Sequence, residues 1–455
     1  MESILDAIFP IGPQFFVGVI VAVIVIHLVL ATVGILVYFE RKISAYIQDR
    51  IGPNRVGFDL GLPLLQKLFR GFGFWGLGQS LADGLKFILK EDYRPPQTDK
   101  ILFSLAPMLS VIPALIGWAV IPWGGVLAID PIVIGGREFV SGGDAVVGAA
   151  AVDIGFIFLL AVAALSVYGM TLGGWASNNK YSFLGGLRAS AGMISYEIPM
   201  GLCILVVVLT AGTVGPNAIV EAQVAGSGVW FIVAHPLAAL LFYACTLAEG
   251  NRAPFDNAEC EQELVGGWHT EYSSMRFALF FLAEYAHLIT GSAFFVLLFL
   301  GGYHLPFVPG LQPEDTGLLA ALLKFTVFFG KVIFMIVLAM FIRWTIPRLR
   351  YDQMMKLCWN AMIPLSIALL VAVATVKFLR IDSVVVFILV NLVLTGAGMV
   401  LFPKLPVANV NKRIPLAGSR FSPIPGHAVQ TAPSGSIARS ESPVPEHSSG
   451  IISAH

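Results

Sequence analysis

Glu197 and Glu284 are the residues whose type and position first ask for a chemical explanation. Each lies inside an apolar run long enough to span a membrane. A carboxylate at the bilayer centre costs about 2.5–3.5 kcal/mol even on the gentlest insertion scale, so an acid there is a functional candidate by default. Glu197 falls six residues into the run 191–212 and Glu284 seven into the run 277–301, which puts both about 10 Å below the membrane surface at ~1.5 Å per residue. Glu249 closes the run 229–248 at that same surface. Three acids on three helices therefore converge on one half of the membrane, an arrangement suited to passing protons.

Between Glu249 and Glu284 the connecting loop adds Asp256, Glu259, Glu261, Glu263 and Glu271 against only Arg252 and Arg276. Asn257 can cap a helix there, and Asp256, Glu259 and Glu263 would then share a face at i, i+3 and i+7. Acids this close at a low-dielectric boundary have raised and coupled pKa values, which suits proton transfer near neutral pH. An acidic loop that docks a partner's basic surface fits the same residues equally well.

Composition supplies the elements that must hold these acids. Only 12% of the 455 residues are charged and 57% are hydrophobic, with a mean hydropathy of +0.81, whereas a soluble chain carries about 25% charged residues. A soluble or disordered chain is excluded, and 28 basic residues balanced by 28 acidic ones exclude a strongly basic nucleic-acid binder. Cys203, Cys245, Cys260 and Cys358 stand singly and suggest neither a disulfide framework nor a metal or cluster ligand set. The expected fold is an all-α polytopic membrane protein of about nine transmembrane helices, over 16–39, 101–121, 151–173, 191–212, 229–248, 277–301, 318–342, 357–377 and 383–402. The first is expected to be a true helix and not a signal peptide, because no Lys or Arg precedes it and no small-residue cleavage site follows.

Lysine and arginine set the orientation. Arg41, Lys42, Arg50, Arg55, Lys67, Arg70, Lys86, Lys90, Arg94 and Lys100 all lie between the first two spans, which places that segment in the cytoplasm and the N-terminus outside. Lys180, Arg188, Arg252, Arg276, Arg343, Arg348, Arg350 and Lys356 then also fall in inner loops, while the outer loops 122–150, 213–228 and 302–317 hold only Arg137. Lys377 and Arg380 are the exceptions. Residues 1–404 form the transmembrane domain, and 405–455, rich in Ser, Pro, Ala and Gly, form a polar cytoplasmic tail expected to be disordered.

Loop 40–100 is too patterned for a plain connector. Leu81, Leu85, Ile88 and Leu89 fall on one side of a helix, with Asp83, Lys86 and Lys90 on another, describing an amphipathic helix at the membrane surface. Leu64, Leu65, Leu68 and Phe69 with Gln66, Lys67 and Arg70 read similarly. Such helices anchor to the surface or roof an opening for a lipid-like molecule. Gly71 to Gly76 fits GxGxxG but follows no strand and has no acid at the required distance, so it reads as an aromatic surface turn. Tyr351-Asp352 lies in a loop without the intramembrane GxGD of an aspartyl protease. Lys324 and Lys331 share a face of the seventh span and could pair with buried acids or orient a partner, Lys324 having the option of snorkelling outward. Asp153 is a cap or solvated position, and His27 a hydrogen-bonded core histidine.

At these residues the chain resembles a known family. ERKISAYIQDRIGPNRVG (Glu40 to Gly57), LADGLKFILKE (Leu81 to Glu91), SYE (Ser195 to Glu197), AEGNRAPFDNAECEQELVGGWHTEYSSMRFALFFLAEY (Ala248 to Tyr285) and RWTIPRLRYDQMM (Arg343 to Met355) are similar to the H-type membrane subunits of bacterial respiratory complex I, the proton-pumping NADH:quinone oxidoreductase. The resemblance covers about 15–377. It implies a membrane component of that enzyme, with no complete active site of its own. Quinone as substrate would enter a channel lined by Glu40, Arg41, Arg50, Arg55, Asp83, Lys86 and Arg252. Glu197, Glu249, Asp256, Glu259, Glu261, Glu263, Glu271 and Glu284 would form a proton relay. FMN, NAD and iron–sulfur clusters are implied on other subunits, and no metal site is expected here. The implied partners are a cluster-bearing peripheral-arm subunit, small and antiporter-like membrane subunits, and the lipid bilayer; the implied location is the bacterial inner membrane.

This chain departs from the family pattern in three places. About 18 residues, Phe58 to Trp75, intervene before the ADG motif, and the turn reads Gly76-Leu-Gly-Gln-Ser80; Gly192 stands where the family commonly has Gln; and the helix 383–402 and the tail look like additions. The nearest alternative is the membrane component of a related membrane-bound hydrogenase. A stand-alone cation/proton antiporter is the alternative from a different class, but no inverted repeat or paired broken helices are visible.

Overall fold

A computed structural model of the protein describes residues 12–58, 74–134, 137–225, 228–306, 308 and 312–401. Most of the 58–75 insert, the amphipathic stretch 64–70 and the tail from 405 lie outside the described residues. Met1–Lys404 forms one unit and Leu405–His455 another.

Helix α1 (Pro13–Ile47) starts with proline in its first turn, where the missing N–H costs nothing. Its 35 residues reach about 52 Å, well beyond the ~30 Å hydrocarbon core. The last turns, with Glu40, Arg41 and Lys42, therefore project past one face of the membrane, and the helix outruns the expected end at 39. It closes with Arg50 N–H donating to Ala45 O (2.7 Å) and the buried Lys42 Nζ to Ile51 O (3.0 Å). Helix α2 (Gln79–Leu89) lies beside this end and buries none of its residues. Its apolar Leu81, Leu85, Ile88 and Leu89 face outward, as an interfacial helix requires. Ser274 Oγ donates to Phe87 O and Lys90 O, tying the end of α2 to the sixth span.

Helix α3 (Lys100–Ile116) is capped by Asp99, whose carboxylate accepts from Ile101 and Leu102 N–H. It packs on α4 (Gly155–Ala176) where Gly169 meets Ser110; a Cβ on Gly169 would lie 2.7 Å from Ser110 N, so only glycine permits this approach. Between α3 and α4 the expected plain loop instead carries four short strands, β1 (Val126–Ile129), β2 (Ile132–Ile134), β3 (Arg137–Val140) and β4 (Gly143–Val146). β1 pairs antiparallel with β4 (Val126 opposite Val146) and β2 with β3.

Helix α5 (Lys180–Ala211) is capped by Asn179 and ends at Gly212, whose positive φ of 75° closes the C-terminus. A further surface helix, α6 (Pro216–Ala225), was not expected. The fifth span is broken into α7 (Phe231–Ala234) and α8 (Pro236–Glu249). His235 precedes a proline, which disfavours helical ψ there, and its ψ of 61° marks the break. After a short helix α9 (Glu261–Leu264), the chain crosses as α10 (Ser274–Phe299), α11 (Leu318–Thr345), α12 (Tyr351–Phe378) and α13 (Val384–Leu401). All nine expected spans thus form helices, eight of full spanning length, and the architecture is an all-α polytopic membrane protein. Tyr351-Asp352 begins α12 rather than lying in a loop.

Two helices are locally opened by proline. Pro199 has no N–H, so the Ser195 carbonyl in α5 loses its helical donor; Cys358 Sγ supplies one at 3.1 Å. Cys358 lies in a π-helical turn of α12, Leu357–Met362, immediately before Pro364. The π-helical turn of α12 faces the Ser195–Pro199 turn of α5, with Glu197 in that turn.

Several polar residues in or near the spans depart from expectation. His27 is exposed on α1 and bonds only the Val23 carbonyl of its own helix (2.8 Å), so it is not a core histidine. Lys324 reaches the carbonyls of Pro313 and Asp315, and Lys331 those of Leu300, Gly302 and His304. The two lysines close the chain ends around α10 and α11 and pair with no acid side chain among the described residues. Lys377 pairs with Asp382 at 2.6 Å, which neutralises one of the two cations that depart from the charge pattern.

Candidate functional site

Glu40 gathers side chains from three distant segments. It is 7% exposed; Tyr285 Oη donates to its Oε2 and Arg343 Nη1 to its Oε1. Arg252 Nη1 stands 3.5 Å from Oε2, and the same guanidinium lies 4.1 Å from the Tyr285 ring centroid. The elements explain the meeting: the overhang of α1 brings Glu40, the last turn of α11 brings Arg343, α10 brings Tyr285, and the first turn after α8 brings Arg252. Arg252 is 5% exposed, and its Nε and Nη2 have no hydrogen-bond partner among the described residues. Burial opposes its charge, but Tyr285, Glu40 and Glu284 outweigh burial and raise its pKa, so the cation persists.

Glu284 precedes Tyr285 and turns to the loop. It acts electrostatically on Glu259, Arg252 and His269. Burial pushes the Glu259 pKa up and Asp256 adds to it, while Glu284, Arg252 and Arg343 pull the other way. His269 Nδ1 lies 3.6 Å from Glu259 Oε1; burial lowers its pKa, with Glu284 and Glu261 pulling the other way. Asp256 is raised to about 6 by burial and by Glu284, while Arg348, Arg343 and Arg252 resist. Asp256, Glu259 and Glu284 therefore form one electrostatic group with fixed cations on its flank.

Glu197 and Glu249 form a second group, each on its own helix and close enough for Glu249 to feel the charge of Glu197. Glu197 Oε1 is buried without a partner among the described residues. Because α5 begins at Lys180 and α10 at Ser274, both intramembrane acids lie farther along their helices than the apolar runs suggest, at about 25 and 15 Å from the helix starts.

Not all of the expected residues meet here. Arg41 pairs with Asp83 at 2.7 Å and joins α1 to α2 at the rim of the Glu40 group. Arg50 donates to Gln48, and Arg50, Arg55 and Lys86 are exposed away from it. Of the helix expected after Asn257 only the single turn α9 forms, ended by Val265 at a positive φ of 69°. Asn257 instead donates to Met354 Sδ at 3.0 Å. Asp256, Glu259 and Glu263 consequently share no helix face. Glu263 pairs with Arg188, Glu271 accepts from Asn179 Nδ2 at 2.6 Å, and Glu261 is exposed. The fold holds this loop on α5 through glycine: a Cβ on Gly185 would meet Trp268 N at 2.5 Å. Tyr285, Arg343, Arg348 and His269 were not singled out from sequence. All four lie in the quoted motifs, but a partner 245 or 303 positions away leaves no local signal.

Among the described residues, no group of three or more His, Cys, Asp or Glu side chains could hold a metal ion. What the arrangement can do is bind, share and release protons among buried carboxyls next to guanidinium groups that stay charged.

Comparison with known proteins adds the following. A family model described as NADH dehydrogenase matches residues 19–374. An H-type subunit of the NADH-quinone oxidoreductase of Cytophaga hutchinsonii is 41% identical over 387 residues, covering 84% of this chain and 96% of that protein. NADH-quinone oxidoreductase subunit 8 of Rhodothermus marinus is 41% identical over 362 residues, 78% of this chain and 95% of its own. The H-type subunit of Salinibacter ruber is 42% identical over 366 residues, with the same coverage of both chains.

Proposed function

Because the chain belongs to the NADH dehydrogenase family, as an H-type subunit of NADH-quinone oxidoreductase, we propose that it guides quinone to the Glu40–Arg252 cluster and passes protons along its buried carboxyls. It is a multi-pass protein of the bacterial membrane and a subunit of an oxidoreductase whose partners are the other complex I subunits. Beyond that, the side bearing the α1 overhang and the acidic loop is the cytoplasmic one, on which a cluster-bearing peripheral-arm subunit docks, with small and antiporter-like subunits beside the spans.

Quinone enters from the bilayer between α1 and α2, where the apolar face of α2 meets lipid and Arg41–Asp83 marks the rim. Reduction adds two electrons, delivered by a neighbouring subunit, and two protons. Negative charge developing on the quinone oxygens is stabilised by the guanidinium groups of Arg252 and Arg343. The protons come from Asp256 and the Glu259–Glu284 pair, and their removal changes the field felt by Glu249 and Glu197.

The observation that carries this reading is that one buried guanidinium, Arg252, answers to both Glu40 and Glu284. A change of charge on either side is thereby felt on the other. A photoreactive quinone tests the quinone part and is expected to label α1 near Glu40, α2, or the 250–260 loop. Labelling confined to other spans overturns it. For the relay, Glu197→Gln in the assembled complex is expected to lower quinone-dependent turnover and spare NADH oxidation by an artificial acceptor; normal quinone turnover removes Glu197.

A further inference from the structure

His287 lies on α10, three residues beyond Glu284, so the two side chains stand one turn apart on the same side of the helix. It is 9% exposed, and its Nε2 is buried with no hydrogen-bond partner among the described residues. Glu284 Oε1, one turn below, is in the same condition. Leaving such a buried polar atom unmet costs about 1–3 kcal/mol. Two such atoms a turn apart are the kind of lining that a buried water satisfies.

The packing of α10 on α8 says what lies opposite. Gly291 abuts the Thr246 side chain, and a Cβ there would clash with it. The two helices run antiparallel, so one turn back along α10, at His287, is level with one turn forward along α8, at Glu249 and Gly250. His287 is thus placed between the Glu259–Glu284 pair and the Glu197–Glu249 pair, the two carboxyl groups that no direct hydrogen bond joins among the described residues.

We infer that His287 is the proton carrier connecting these two groups, taking a proton on the Glu284 side and releasing one on the Glu249 side through bound water. Atoms and charge balance: one ring nitrogen gains a proton from a carboxyl group, the other gives one up to a carboxylate, and the ring returns to neutrality as its other tautomer. Imidazole alone among the side chains here can both accept and donate in this way near neutral pH. The inference rests on the relay reading above, and its test separates the two.

In vesicles containing the assembled complex, three variants are compared: His287→Gln, which retains a polar side chain that cannot carry a proton, His287→Leu, and Glu197→Gln. Proton translocation driven by quinone reduction is measured against NADH oxidation by an artificial acceptor. Both His287 variants are expected to lose translocation at least about 10-fold, as general acid–base groups do when removed, with acceptor activity intact. The residual turnover of His287→Gln is expected to slow more in D2O than that of the unsubstituted protein. Where His287→Leu fails to assemble, His287→Gln decides. Full translocation in His287→Gln with loss in Glu197→Gln overturns the role of His287 and leaves the relay standing. Full translocation in both overturns the relay, and the inference with it. Reduced turnover with an unchanged D2O effect in His287→Gln makes the residue structural and also overturns the inference.

Discussion

Replacing Glu40 by glutamine leaves the shape of the cluster almost unchanged and deletes its central charge. Arg252 then remains buried at 5% exposure with its nearest counter-charge gone. At 3.5 Å and an effective dielectric of ~20, two unit charges attract by roughly 5 kcal/mol. Measured losses on breaking a buried pair by removing one partner run at about 3–5 kcal/mol. The Arg343 contribution is smaller, because its side chain is 28% exposed and solvent screens it to ~1 kcal/mol or less. Arg252→Met alone leaves Glu40 with Tyr285 and Arg343, so it costs less than Glu40→Gln. The double variant Glu40→Gln/Arg252→Met removes both charges and is expected to recover about 2–3 kcal/mol relative to the sum of the singles. The assay is thermal inactivation of quinone-dependent turnover in the purified complex, where ~1 kcal/mol moves the midpoint by about 1–2 °C for a chain of this size. Glu40→Gln should fall by several degrees and the double variant by no more. Additive losses would show that Arg252 and Glu40 do not depend on each other, and the argument that one guanidinium couples the two halves of the site would fail.

Three other expectations come from the same structure. Asp256 is held at about 6 against an ordinary 3.8, so its stabilising contribution is complete below 3.8 and lost as pH rises through 6. Asp256→Asn should therefore stabilise the complex at pH 8 by about 1–2 kcal/mol after allowance for partial solvent exposure, read as a higher inactivation temperature, with the gain shrinking toward pH 5.5; a gain that grows toward acid pH contradicts the burial argument. Asn391, fully buried on α13, accepts from Leu237 N at 3.3 Å and faces His235 in the break of the fifth span; Asn391→Leu should cost about 1–2 kcal/mol and expose the 379–383 turn to protease, whereas unchanged cleavage would mean that α13 is held by apolar contact alone. Gly185→Ala sets a Cβ 2.5 Å from Trp268 N and should displace the acidic loop, read as weaker quinone-dependent turnover with acceptor activity retained; full turnover would mean the loop yields without consequence.

The spans were legible because twenty apolar residues in a row are a local property, and so was the outward apolar face of α2. The fifth span shows the limit: its apolar run is continuous through 229–248, and a single residue preceding Pro236 breaks it. The short strands of 126–146 escaped because runs of three or four residues between glycines carry too little alternation to detect. The acids divided differently. Their excess in one loop was visible, but spacing alone suggested a helix face, and the structure forms only one turn there, ended by positive φ at Val265. Glu263 and Glu271 then turned to Arg188 and Asn179, partners whose identity depends on which loop lies against which helix end.

What the sequence determined by itself is a membrane-spanning helical chain, the placement of charge at its loops, and the family whose motifs it carries. Each is a matter of composition or of neighbours along the chain. Only the tertiary structure decided that Glu40 would meet Tyr285 and Arg343 and that Glu259 would come within electrostatic reach of Glu284 and Arg252. The Glu40 contacts join residues 245 and 303 positions apart, and their strength depends on exclusion of water, which no single segment can accomplish until the helices pack around it.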